Sequence, residues 1–503
     1  MKDKILFWLG SDFTHFSLSY YLQKMYDCDL YAIIDITNRP KKFFQEQSLV
    51  NFQKRWFFHD HIVKDREPDK EHLSHIEKKY NLNLWKLTTN ERIFYRFYDF
   101  HKFTTREILS ILESECRFFE TVLDEVKPDF FVTKEPAFHH LELVYQMCKS
   151  RGIKVLMLGQ PNLGYRCIIS EESTKLDSYG SLNTASQNRT FDELQKYLKT
   201  FDLSKQIRSY DKKHGTSKTD WIKSTLNYLM SKNTNVKTHY NYFGRSKIKV
   251  LIYMLISILK KKYRHSFINK NLQTKVDLNT KFAYFPLAVD LERNLLINAP
   301  FHTNQIEIIR NIVKSLPIDF KLYVKENPSQ ITREWRSRSE YKEIMKIPNV
   351  TLIHPSFPTE DLFKNCALVL TIGGTSGFEA AFYGKPSIIF TELGYQILPS
   401  VTRVKEMESL PSAIRTAIKK EITPKHLEEY MLLLEQNSFA FDWLSFGSKF
   451  KDQFYYGGTL VDVEIPVNKM KEFLDENKEE MTTLASEHIK KIKQHKEKLH
   501  LLK

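Results

Sequence analysis

Residues 366–390 read CALVLTIGGTSGFEAAFYGKPSIIF. Residues 367–372 are a short apolar run rich in branched side chains, the composition of a strand buried on both faces. Gly373, Gly374, Thr375, Ser376 and Gly377 follow, a turn of small residues whose missing side chains let backbone N–H groups point at a ligand. Residues 378–383 predict a helix stopped by Gly384, Lys385 and Pro386, and residues 387–390 predict the next strand. A small-residue turn between a strand and a helix N-terminus suits a phosphate. The same pattern also describes a tight strand–helix turn with no ligand. Its glycine spacing is neither a P-loop nor GxGxxG, so support has to come from the rest of the chain.

At 503 residues the chain can bury two or three cores. Its net charge of +15, from 76 Lys and Arg against 61 Asp and Glu, points to an anionic partner. Nucleic acid, a lipid surface and a phosphorylated substrate all qualify. No zinc spacing, RNP-like signature or recognition-helix pattern is present, so no nucleic-acid partner is expected. The five cysteines are scattered and odd in number, which implies neither a disulfide framework nor a CxxC metal site and fits a reducing compartment. The opening residues MKDKILFWLGSD carry an apolar run shorter than a signal h-region. No stretch reaches the roughly 20 apolar residues needed to span a bilayer. A cytoplasmic protein is the expectation.

From the N-terminus, residues 4–9 predict a buried strand, residues 16–26 a helix and residues 29–36 (DLYAIIDI) a second strand, the start of a doubly wound α/β domain. Residues 41–96 are basic and aromatic, with a helical patch at 70–80. Residues 103–126 predict one long amphipathic helix, 128–133 a strand, 138–151 a helix and 154–158 a further strand running into QPN. In a parallel sheet, ligands sit beyond the C-terminal ends of the strands. Asp12, Glu135 and the loop from Gln160 to Arg166 all lie at such ends and are expected to line one crevice. These elements define a first domain over residues 1–170.

Residues 171–280 form a polar, basic, largely helical insertion. Within it residues 248–259, IKVLIYMLISIL, stand out, with Arg245 and Lys247 before them and Lys260, Lys261, Lys262 and Arg264 after. Twelve such residues are too few to span a bilayer; they fit either an interfacial helix beside anionic headgroups or a buried inter-domain helix. A second α/β domain is expected over 281–465, with strands at 282–286, 320–324, 350–353, 367–372 and 387–390, and helices at 303–316, 333–345 and 405–437. Residues 466–503 are Lys/Glu-rich at helical spacing, a solvated helix that crosses back or projects.

Three strand exits of the second domain carry polar or small groups: Lys325, His354 with Pro355, and the turn Gly373, Gly374, Thr375, Ser376, Gly377. Their convergence on one sheet edge suits a nucleotide sugar. The turn and helix dipole would hold phosphate, Lys325 would add a point charge, and Glu379, one helical turn on, could accept hydrogen bonds from ribose hydroxyls. Each also has an ordinary reading: a solvated Lys, a His-Pro turn, a Glu placed for the helix dipole.

Residues 282–390 resemble the capsule polysaccharide biosynthesis family, whose best-known members are Kdo transferases with a GT-B fold. The resemblance rests on FPLAVDLE at 285–292, Gln305, SLP at 315–317, LYVKENP at 322–328, residues 349–355, residues 374–380 and GKP at 384–386. Asn327 stands where the family carries His. QPNLGYR at 160–166 stands where Kdo transferases carry a Glu-Asp-Gly-Phe-Leu-Arg type loop, so the donor sugar stays open.

The resemblance implies a GT-B-like chain of two doubly wound Rossmann-like domains facing a cleft, with a helical insertion and a helical tail. It also implies a metal-independent glycosyltransferase with no cofactor beyond the nucleotide-sugar donor, in which Lys325, Thr375, Ser376 and Glu379 bind the donor. The acceptor would be a polysaccharide or lipid-linked glycan, consistent with a peripheral position at an anionic membrane. No DxD-like pair stands at a strand end, so no metal is expected. An inverting reaction needs a base near the acceptor; Glu135 and Asp12 are the candidates by position. Arg166 could bind an anionic acceptor. Two rival readings remain: an enzyme of the UDP-N-acetylglucosamine 2-epimerase type, and a non-catalytic binding protein on a GT-B frame.

Overall fold

The computed structural model of the protein describes residues 2–63, 65–94, 99–173, 175–177, 188–200, 217–290 and 292–501. In it β1 (Asp3–Gly10) sends Ile5, Phe7 and Leu9 into one apolar cluster and Leu6 and Trp8 into another. A strand buried on both faces belongs at the centre of a sheet covered by helices on both sides. β2 (Cys28–Asp35), β3 (Phe52–Phe57), β4 (Phe130–Lys134) and β5 (Lys154–Gly159) run parallel to it in the order β3-β2-β1-β4-β5. The helix Thr14–Met25 covers one face through Phe16, Leu18 and Leu22. The helices Thr105–Val126 and His139–Ser150 cover the other. Thr104 and Glu107 cap the former reciprocally. β6 (Arg166–Ser170) turns back antiparallel to β5.

The second sheet repeats the plan. β7 (Phe282–Pro286), β8 (Lys321–Lys325), β9 (Val350–Ile353), β10 (Leu368–Thr371), β11 (Ser387–Ile389) and β12 (Val401–Arg403) are all parallel, ordered β12-β11-β10-β7-β8-β9. Phe282 and Tyr284 face one cluster, Ala283 and Phe285 the other. Both sheets thus carry the strand order of a Rossmann-like unit, and the expected doubly wound α/β class holds. The chain then returns to the first sheet, where β13 (Phe439–Ala440) pairs antiparallel with β6.

Two compact units result: residues 1–177, 201–247 and 436–503 form one, and residues 178–200 and 248–435 the other. The expected boundaries need correction in two places. The insertion at 171–280 is shared between the units rather than standing apart, and residues 436–465 join the first unit rather than the second. The C-terminal helix Lys478–Leu501 crosses back instead of projecting: Met481, Leu484, Ala485 and Ile492 are buried in the cluster that also holds Phe16 and Leu22. Its Lys/Glu-rich composition hides that apolar stripe of helical period. The helix expected over 333–345 begins at Arg338, because Glu334 and Trp335 take positive φ values of 63° and 62° as Trp335 and Arg336 turn into the core. Among the described residues no helix is long and apolar enough to cross a membrane.

Candidate functional site

Because β10, β7, β8 and β9 are parallel neighbours, their C-terminal ends, Thr371, Pro286, Lys325 and Ile353, line one edge of the second sheet. Adjacent strands lie about 4.8 Å apart, so the exits of β10 and β8 are roughly 10 Å apart. Lys325 is only 5% exposed, and its Nζ donates to Thr359 Oγ1 at 2.6 Å. Burial pushes its ammonium down to about 8, against an opposing pull from Glu379.

The small-residue turn sits at the end of β10 and leads into the seven-residue helix Ser376–Phe382. Its glycines are required by close packing. A Cβ on Gly373 would lie 2.9 Å from Thr391 Cγ2, and one on Gly377 would lie 2.7 Å from the Tyr395 hydroxyl. The Gly374 N–H is spent on Thr371 Oγ1 at 3.1 Å, and the Tyr395 hydroxyl donates to the Gly374 carbonyl. Thr375 is exposed, Ser376 and Glu379 are half-buried, and Thr375 Oγ1 donates to Glu379 Oε1 at 2.6 Å. A ligand at this edge would meet Thr375, Ser376, Lys325 and Glu379.

The loop after β7 is clamped beside Lys325. Glu326 is fully buried and accepts from Arg336 Nε at 3.0 Å and from the Tyr341 hydroxyl at 2.8 Å. The Arg336 guanidinium also reaches Asp290 and the Ala288 carbonyl. Gln305 bonds both the N–H and the carbonyl of Ala288, at 2.8 and 3.0 Å. The sequence pattern at 285–292 and Gln305 is therefore a loop-holding device; Leu291 lies outside the described residues.

His354 is 9% exposed, and both its ring nitrogens are engaged: Nδ1 accepts from the Ser356 N–H at 3.1 Å, which leaves Nε2–H to donate to Asn269 Oδ1 at 3.0 Å. Burial, with His265 and Lys325 adding to it, holds this imidazole below its ordinary value. His354 thus fastens the end of β9 to the helix Lys247–Asn271 through Asn269, and Pro355 beside it is buried.

In the first unit, Asp12 follows β1 and accepts from Lys134 Nζ at the end of β4, at 2.6 Å, and from the Thr14 N–H at 3.0 Å. Burial pushes its carboxyl up, but Lys134 and His15 outweigh it and hold it well below the usual range. An ion-paired carboxylate of that kind is a poor base. Glu135 lies across the end of β5, its Oε1 3.1 Å from where a Cβ on Gly159 would be. Gln160 is exposed. Arg166 Nε and Nη2 donate to Ser438 Oγ and carbonyl, at 2.7 and 2.6 Å, tying β6 to the strand end of β13.

The same edge holds residues that the sequence did not single out. Asp35, at the end of β2, accepts from His59 Nε2 at 3.1 Å and faces His140 Nε2 at 3.4 Å. Against the effect of burial, these two histidines hold its carboxyl well below the usual range. Deeper, His139 lies between Glu91 at 3.0 Å and Glu115 at 3.1 Å, all three buried. Burial disfavours its charged form, but Glu115 and Glu91 raise it to about 10. The Tyr240 hydroxyl joins His140 to Glu115. One signal could have found Asp35: like Lys325, it is the polar last residue of an apolar strand.

Two Rossmann-like units define the structural class. The family model for capsule polysaccharide biosynthesis proteins matches residues 192–431. No curated protein matches the sequence. Solved structures similar to it include UDP-GlcNAc 2-epimerase from Methanocaldococcus jannaschii, at 16% identity, covering 87% of this chain and 99% of that one, with a TM-score of 0.25. Another is the beta Kdo 2,7 transferase KpsC of Thermosulfurimonas dismutans, at 10% identity, 72% and 89% coverage and a TM-score of 0.29. At these identities and scores the architecture rests on the chain's own two sheets.

Proposed function

We propose that the protein is a glycosyltransferase that takes a sugar from a nucleotide-activated donor and passes it to a surface-polysaccharide or lipid-linked glycan acceptor. Lys325 carries the reading: a lysine 5% exposed at the end of β8, its ammonium weakened to about 8, beside a carboxylate and a small-residue turn. An anionic ligand would restore the charge that burial disfavours. Donor phosphates are assigned to Lys325, Thr375 and Ser376, and Glu379 to the ribose hydroxyls. As the donor bond breaks, protonated Lys325 and the turn neutralise the leaving phosphate without a metal. In the first unit Glu135, rather than the ion-paired Asp12, is assigned to accept the acceptor's proton. The match to the capsule polysaccharide biosynthesis family model over residues 192–431 supports the reading.

The test is a thermal-shift screen against CMP, CDP, UDP and GDP, with Glu379→Ala and Ser376→Ala alongside. A nucleotide at 100 times its dissociation constant should stabilise the wild type by about 2.7 kcal/mol and stabilise both variants less. A screen in which no nucleotide shifts the wild type would sink the donor site and leave the non-catalytic reading.

A further inference from the structure

The helix Lys247–Asn271 buries only Phe267 and Ile268, near its C-terminal end. There Arg264 donates to the carbonyls of Glu334 and Trp335, and His265 stacks on Trp335. The preceding turns stand open. Ile248, Ile252, Leu255 and Leu259 are 71%, 51%, 64% and 66% exposed. Their spacing of four, three and four residues puts them in one stripe. The flanking positions Met254, Ile256 and Ile258 are exposed as well, so this part of the helix is apolar nearly all round. A helix of that composition needs cover: the core of a protein or a lipid phase. Among the described residues these turns lie uncovered, which favours the second.

The charges name the cover. Over residues 247–271 there is no Asp or Glu, while Lys247, Lys249, Lys260, Lys261, Lys262, Arg264 and Lys270 are all basic. An apolar stripe flanked by cations and free of anions complements an anionic bilayer surface, with Lys stems reaching the headgroup level. Residues 248–259 extend about 18 Å at 1.5 Å per residue, against a hydrocarbon core of roughly 30 Å, so the helix lies in the interface. The first unit has its own exposed stripe on the helix Lys218–Met230, where Ile222, Leu226 and Met230 are 53%, 52% and 81% exposed and Trp221 is 48% exposed. Trp is a residue of membrane–water interfaces.

We infer that the helix Lys247–Asn271 is a membrane-surface anchor for anionic lipid, with the helix Lys218–Met230 as a second lipid contact. The anchor rests on the proposed function only in supplying the surface at which a lipid-linked acceptor would be met. Its evidence is the exposure and charge of the helices themselves.

Flotation of the full chain tests it, using phosphatidylcholine vesicles with and without phosphatidylglycerol, at low and high salt and with no donor or acceptor. The wild type should float with the phosphatidylglycerol vesicles at low salt and be released by salt. Leu255→Ser with Leu259→Ser should cut partition by about tenfold or more. Replacing Lys260, Lys261 and Lys262 by Gln should cut it by about fivefold per lysine. Trp221→Ala should weaken it less. None of these positions is buried, so the variants should melt with the wild type; thermal shift with nucleotide on the same samples reads the donor site separately. Three outcomes would overturn the inference: no flotation of the wild type at low salt, equal flotation of the variants, or a dimer of the free protein that Leu255→Ser with Leu259→Ser dissolves.

Discussion

The two sheets share the strand order around their central strand, yet their C-terminal edges are furnished in opposite ways. The second unit sets one buried cation, Lys325, beside a half-buried carboxylate and a turn of small residues, and burial leaves that cation weakened. The first unit holds ionisable groups in matched sets: Asp12 with Lys134, both half-buried, Asp35 with His59 and His140, and the fully buried His139 between Glu91 and Glu115. There the charged forms are reinforced, with the carboxyls of Asp12 and Asp35 down and His139 up. A charge buried short of full compensation is available to a ligand of opposite sign; charges buried together have already found each other and fix geometry instead. On the proposed function, one Rossmann-like edge awaits an anion and the other is settled.

The comparison breaks most visibly at its most buried point. Glu115→Ala leaves the His139 imidazolium with Glu91 alone in a site where His139 and Glu115 are both fully desolvated. Removing one partner of a buried pair costs about 3–5 kcal/mol, and denaturant unfolding of the first unit should show a loss of that size. The pH dependence follows from the shifts. His139 is raised from 6.5 to about 10, so its contribution is full below 6.5 and is lost as pH climbs through about 10. Glu91 is lowered from its ordinary 4.5, so its contribution is present above that value and lost in acid. The difference between wild type and Glu115→Ala should therefore shrink above pH 10. An unchanged difference there would mean that His139 is neutral in the folded protein.

The second unit was the more legible of the two, for a physical reason. Its strands are buried on both faces, so they read as continuous apolar runs ended by Gly or Pro, and their last residues, Lys325 among them, mark the edge. β3, FQKRWF, sits at the rim of the first sheet with three exposed polar positions and shows no such run. The His139 cluster was illegible because its members lie far apart in the chain: Glu91 is 48 residues from His139, and Glu115 is 24. The glycine turn is legible in the sequence, but the packing by Thr391 and Tyr395 that demands its glycines is not. For the helix Lys247–Asn271, composition left both burial and an interface open, and only its exposure decides.

Lys325 sharpens the comparison because function and stability should part there. Its folded value of about 8 lies below the ordinary 10.5, so the charged form is disfavoured by folding. That cost is full below about 8 and is relieved as pH rises toward 10.5. Lys325→Met removes the cost and also a charge-assisted bond worth about 1.5–3 kcal/mol to an anionic ligand. Nucleotide affinity should fall about 10- to 100-fold by calorimetry, while the melting temperature at neutral pH holds or rises. In the wild type, affinity should be level below pH 8 and fall above it, since the ligand needs the protonated form. If Lys325→Met lowers stability and affinity together, Lys325 is a structural group and the edge is as settled as the other.

The smallest expected effect tests the settled edge at its rim. Arg166 is half-buried, and its Nε and Nη2 donate to Ser438. It joins the start of β6 to the residue before β13, a two-residue strand that brings residues 436–503 back to the first sheet. Two hydrogen bonds from a half-buried guanidinium to neutral acceptors contribute roughly 0.5–1 kcal/mol each, the low end of the range, because water competes for the exposed part of the side chain. Arg166→Ala should therefore cost about 1–2 kcal/mol in denaturant unfolding of the first unit and leave nucleotide affinity at the second unit unchanged. Arg166→Lys keeps the charge but cannot reproduce the two-pronged geometry, so it should lose nearly as much stability. If Arg166→Lys restores turnover that Arg166→Ala has lost, with stability lowered equally in both, the guanidinium is serving an anionic acceptor by its charge, and the first edge is poised as well.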